Sequence, residues 1–202
     1  YCDGIAIHGY TYNAPDLPRY FSDIKSFSEK VNLPVYITEI GFRIPAYSSF
    51  DCSSYFILAS LLTLFHERFK SCLWFRYKKA EPESLEFYAQ NSSSGYSMIG
   101  NGEIYARGHY AAYRFVSNIF PLIVCKRVNR FGSCFVFQAD SKFGAMQIVY
   151  DETSRFSLRL PANSDLVICD IFGNRLDAPP SKKHKVIFIV SIEMIDFIRA
   201  SI

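Results

Sequence analysis

Pro34-Val-Tyr-Ile-Thr-Glu-Ile-Gly-Phe42 is the stretch on which the reading of this chain turns. A short β-branched apolar run ends in a carboxylate, Glu39, and breaks at Gly41. Runs of this kind between turn-forming residues are strands buried in a parallel sheet. The carboxyl end of such a strand is where barrel and open α/β enzymes keep their chemistry. Simple alternation puts Val35, Ile37 and Glu39 on one face, so the carboxylate is expected to point inward from the top of a barrel. The ordinary alternative is a strand-end Glu that pairs with a nearby Arg or caps a loop.

The flanks repeat the same grammar. Upstream, Asp3–Tyr10 reads as a buried strand ending in polar and aromatic groups. Leu17, Tyr20, Phe21, Ile24, Phe27 and Val31 then follow the spacing of an amphipathic helix, with Asp16 and Pro18 suited to its first turn. Downstream, the sequence predicts a helix from about Asp51 to Phe69, a third strand over Cys72–Tyr77, a polar loop over Lys78–Ser94 and a helix over Gly108–Asn118. Strand–helix alternation specifies parallel βαβ units. After Pro121 the pattern changes to short strand-like runs: Ile123–Val128, Cys134–Ala139, Ala145–Tyr150, Phe156–Leu160, Leu166–Ile171 and Val186–Val190. Turn-forming residues separate them, as in an antiparallel sandwich. The expected fold class is therefore α/β plus all-β, with domains over 1–120 and 121–202. Ser191–Ile202 fits either a helix or an edge strand.

Composition narrows the function classes. Of 202 residues, 50% are hydrophobic and 17% aromatic, enough for a real core. Lys+Arg 22 against Asp+Glu 19 leaves +3, too balanced to point to nucleic acid or an anionic membrane as partner. Lys182-Lys-His-Lys185 reads as a charged turn. The longest apolar run, Phe56–Phe65, is too short to span a bilayer. The chain opens on Tyr1, so a leader upstream is not visible in it. Six cysteines form no CxxC pair and no Cys/His cluster. They read as buried thiols, with a Cys125–Cys134 bridge as a weaker option, and no metal or other cofactor is expected.

Strand-His8-Gly-Tyr10, then Leu33–Phe42, then the strand bearing Trp74 resemble the last three β/α units of clan A glycoside hydrolases. In that clan the seventh barrel strand carries a nucleophilic Glu in an ITE-x-G setting, and the eighth supplies a Trp beneath the sugar. Gly95–Tyr113 is similar to the segment entering the eighth helix, although Arg107-Gly-His stands where Lys-Pro is usual. The segment from Leu158 to Ser191 is similar to the β-sandwich appended to β-xylosidase-like members. The resemblance implies a partial (β/α)8 barrel followed by an accessory sandwich. It implies Glu39 as nucleophile, and an oligosaccharide, polysaccharide or other glycoside as substrate. It also implies that the amino-terminal barrel half lies outside this chain. The clan's acid/base is a Glu following Asn, and no Asn-Glu pair occurs in these residues.

A retaining glycosidase needs an ionised nucleophile and a proton shuttle about 5–5.5 Å apart. A Tyr hydroxyl beside the nucleophile orients it, and Tyr10 is the candidate. His8 lies two residues back on the same face as a site-lining group. Trp74 offers an aromatic floor for a sugar's C–H face. Arg76 and Arg43 are candidates for hydroxyl or acid contacts, with surface ion pairs as the plainer reading. Glu81, Glu83 and Glu86 read as solvated loop charges. Against the hydrolase stand two other classes: a non-catalytic carbohydrate-binding or structural module, and an inactive fragment. The lack of any Trp after residue 74 favours a structural accessory role for the second domain.

Overall fold

The computed structural model describes residues 2–8, 16–40, 49–66, 68–74, 108–154, 160, 165–177 and 184–200, with backbone alone at 49–52, 72–74 and 108–111. Two compact units emerge, Tyr1–Ala111 and Ala112–Ile202.

The first unit alternates strand and helix: β1 (Ile5–His8), α1 (Leu17–Val31), β2 (Val35–Ile40), α2 (Ser49–Leu64) and β3 (Phe69–Trp74). The strands form a parallel sheet in the order β1-β2-β3. Pro18 lies in the first turn of α1, where its missing N–H costs nothing. Asn32 ends the helix in the left-handed region at φ 55, its N–H returning to the Ser28 carbonyl. Ser28 is buried because its hydroxyl donates to the Leu33 carbonyl at 2.8 Å. The apolar stripe of α1 brings the Phe21 ring edge-on to Phe69 of β3, centroids 5.4 Å apart.

α2 is apolar on nearly every side, and Tyr55 through Ala59 are buried. It stops at Leu64 and not near Phe69 as its hydrophobic run suggested. The His66 ring accepts the Arg68 N–H at 3.2 Å, and the Arg68 carbonyl accepts the Val35 N–H at 2.7 Å. Phe69 is thereby drawn into the sheet opposite Val35, so β3 begins three residues before Cys72, its expected start.

In the second unit, α3 (Gly108–Ile119, from Ala112 onward) precedes β4 (Ile123–Phe131), β5 (Cys134–Ser141), β6 (Gly144–Asp151), β7 (Leu166–Cys169) and β8 (Val186–Ser191). These make one antiparallel five-stranded sheet in the order β4-β5-β6-β8-β7. Alternation separates two faces. Phe137, Ile148 and Phe188 share one of them, and the Phe115 ring of α3 meets Phe188 edge-on at 5.2 Å. On the other, Val149, Ile187 and Ile189 gather Leu160, Leu166, Ile168 and Leu176. A sandwich was expected here. Among the described residues there is a single sheet, and a helix covers one face; the expected strand Phe156–Leu160 lies, except for Leu160, outside them. Phe115 ties α3 to the antiparallel sheet, and the division between the two compact units falls within α3.

β7 ends at Cys169 because Asp170 takes over the backbone: its carboxylate accepts the N–H groups of Phe172 and Asn174 at 2.8 and 2.9 Å. The ambiguous carboxyl-terminal segment is helical, α4 (Ile192–Ala200), with Met194, Ile195 and Ile198 buried. The Cys125–Cys134 bridge does not form. In the β4–β5 register Cys125 faces Ala139 and Cys134 faces Phe131, and both thiols are free. Of the expected buried thiols only Cys169 is buried, Cys125 and Cys134 being half-buried and Cys2 exposed; burial raises the pKa of Cys125 and Cys134 and pushes Cys169 from 9.0 up to about 11. Among the described residues no helix is long and apolar enough to cross a membrane.

Candidate functional site

The carboxyl ends of β1 and β2 bring together two of the groups singled out in the sequence. His8 closes β1, and Glu39 is the penultimate residue of β2. His8 Nδ1 and Glu39 Oε2 stand 3.4 Å apart, an ion pair whenever the imidazole is protonated. The two side chains remain 60% and 35% exposed.

They meet because β2 is not a regular strand. Ile7 pairs with Ile37 but His8 with Glu39; Cys72 pairs with Ile37 but Trp74 with Ile40. Against both neighbours, β2 therefore carries one extra residue between Ile37 and Ile40. Such a bulge reverses the alternation beyond it. Val35, Ile37 and Ile40 are fully buried, whereas Tyr36 is 41% exposed. Val35 lies opposite Phe69, which packs on Phe21 of α1, so the buried set faces the helices. Glu39 does not share that face, contrary to the alternation expected from its sequence position. It stands with His8 and Tyr36 on the face turned away from α1.

Two hydroxyls hold the neighbouring backbone. Thr38 Oγ1 donates to the Ile7 carbonyl and Tyr20 Oη to the His8 carbonyl, each at 3.1 Å. Neither residue stands out in the sequence as part of a site; only the fold puts them beside it. Burial raises the Tyr20 pKa, which keeps this hydroxyl a donor.

Trp74 lies at the end of β3 with its backbone opposite Ile40. Tyr10, Arg43, Arg76, Glu81, Glu83 and Glu86 fall outside the described residues. Elsewhere, a depression of about 500 Å³ lies on the second unit, edged by Gln138, Gln147, Leu160 and Leu166, with Lys126 and Asp140 paired at 3.0 Å beside it.

The fold is similar to that of a solved family 39 glycoside hydrolase from the gut symbiont Bacteroides cellulosilyticus WH2. The likeness covers 94% of this chain at a TM-score of 0.69 and 16% identity. The chain has a glycoside-hydrolase-like fold. It spans 44% of the length of that enzyme. No protein family's sequence profile matches the chain, and no curated protein sequence does.

Proposed function

We propose that this chain is the carboxy-terminal part of a clan A (β/α)8-barrel glycoside hydrolase, with residues 1–120 belonging to the barrel and 121–202 forming an accessory β-domain. In this reading the enzyme hydrolyses an O-glycosidic bond of a saccharide with retention of configuration, and Glu39 is the nucleophile. The observation that carries it is the position of Glu39 at the carboxyl end of the central parallel strand, 3.4 Å from His8 on the face away from α1. In a closed barrel the face opposite the helices is the interior, where the sugar binds. The likeness in fold to a glycoside hydrolase supports the same reading.

The steps follow from the chemistry of the groups. The Glu39 carboxylate attacks the anomeric carbon and expels the leaving oxygen, forming a glycosyl ester that water then hydrolyses. His8 stabilises and orients the anion. The clan resemblance assigns Tyr10 as the hydroxyl that orients this carboxylate and Trp74 as a wall of the sugar subsite, with Arg76 as a candidate for substrate contact. The proton shuttle is a carboxyl group of the barrel strands outside these residues. Without that acid the 202-residue chain alone turns over unactivated oligosaccharides negligibly, since positioned proton transfer contributes ~10²–10⁴-fold.

In the complete enzyme, Glu39→Gln abolishes turnover and leaves the thermal transition near that of the parent, because the amide is nearly isosteric but cannot act as an anionic nucleophile. A mechanism-based fluorosugar followed by peptide mapping reports the same point directly. Label on another carboxylate, or an active Glu39→Gln enzyme, overturns the assignment.

A further inference from the structure

We infer that the Thr38 and Tyr20 hydroxyls are positioning groups for the His8–Glu39 pair, holding the bulge of β2 that turns Glu39 to the face of His8. The inference deepens the proposed reading of Glu39, but its test does not depend on catalysis.

A strand in strict alternation would send the Glu39 side chain to the face of Val35 and Ile37, which are fully buried. The extra residue between Ile37 and Glu39 is Thr38. Bulges are common beside active sites because they re-aim one side chain without disturbing the rest of a sheet. A bulge also loosens the ladder, so something must hold its register. Here the Thr38 hydroxyl donates across the strands to the Ile7 carbonyl, directly opposite the irregularity. The next carbonyl, that of His8, accepts from Tyr20 on α1. Thus the last two carbonyls of β1 each receive a side-chain hydroxyl, one tying β1 to β2 and the other tying it to α1. His8 is fixed on one side of the pair and Glu39 on the other. Ser and Thr hydroxyls bond readily to nearby backbone, which makes Thr at the extra position a chemically sensible stitch.

The test converts the pair into a metal clip. In the 202-residue chain, Glu39→His sets a second imidazole against His8, and two imidazoles on adjacent strands bind Ni(II). Calorimetric titration with Ni(II) alone then reads the juxtaposition of the two side chains. Glu39→His is expected to bind Ni(II) more tightly than the same variant carrying His8→Ala. Adding Thr38→Val or Tyr20→Phe is expected to weaken that binding by about 10–100-fold, the usual cost of removing a group that orients a ligand. Thr38→Ser, which keeps the hydroxyl, restores it; a merely structural role for the Thr38 methyl predicts no such rescue. Far-UV circular dichroism and the thermal transition verify that each variant folds, and Tyr20→Phe, which keeps the ring, carries the test if Thr38→Val unfolds. Ni(II) affinity indifferent to both hydroxyls, or indifferent to His8→Ala, overturns the inference. Turnover by Glu39→Gln in the complete enzyme overturns Glu39 as the nucleophile instead and leaves the Ni(II) result standing.

Discussion

Gly173 shows how much can rest on one residue. Its φ is +82, a conformation L side chains rarely adopt, and a Cβ built there would stand 2.5 Å from Cε2 of Phe115. The glycine thus serves two needs, the turn that Asp170 organises and the seat of the ring that joins α3 to the antiparallel sheet. Gly173→Ala is expected to destabilise the chain by at least ~2 kcal/mol, combining the left-handed backbone cost with overpacking. Chemical denaturation of the two proteins side by side measures it, and a difference within experimental error would contradict the packing described. Glu39 belongs to the same scale. Its identity as a strand-end carboxylate is plain in the sequence, but the side it faces depends on Thr38 being an extra residue, which the pairing of β2 with its neighbours reveals.

Among the elements, strand and helix order in the first unit follows from local pattern, while the ends are set by neighbours. α1 carries its own start signal in Pro18, its stop at Asn32 is shown by the left-handed cap, and its observed span matches the apolar spacing from Leu17 to Val31. α2 does not: Phe65 and Phe69 continue its apolar spacing, but Phe69 gains more from the Phe21 ring and the ladder with β2 than from another helical turn. The last element was balanced between helix and strand. Ser191 tips it, its hydroxyl accepting the Met194 N–H at 3.3 Å as an N-cap. Ser191→Ala is expected to cost about 1 kcal/mol. Thermal unfolding followed by circular dichroism reads the shift, and Ser191→Asp, which keeps a capping oxygen, should recover most of it.

At the scale of the molecule, the two units differ in how much of their own surface they close. Among the described residues the parallel sheet has three strands, with no further strand paired to either edge, and exposed strand edges invite association with other chains. The five-stranded antiparallel sheet has apolar packing on both faces, from Phe115 on one and Leu160 and Leu176 on the other. Residues 112–202 expressed alone are therefore expected to unfold cooperatively as a monomer, whereas residues 1–111 alone aggregate or self-associate. Analytical ultracentrifugation with calorimetry on each segment checks this. A monomeric, cooperative transition from 1–111 would show that the parallel sheet needs no further strands.

What the sequence determined by itself was the order and type of most elements, because 3.6- and 2-residue periodicity, Pro18, Asn32 and the β-branched run before Glu39 are local properties that survive in any context. It also brought forward His8 and Glu39, since polar groups ending apolar strands stand out against their surroundings. Only the tertiary structure decided where α2 stops, which unit holds most of α3, and that Glu39 meets His8. Each of these depends on contacts between residues distant in the chain: Phe69 with Phe21, Phe115 with Phe188, and the Ile7 carbonyl with Thr38. A helix end or a strand register is settled by whichever partner offers the larger burial or the better hydrogen bond, and the partner is known only once the chain has folded.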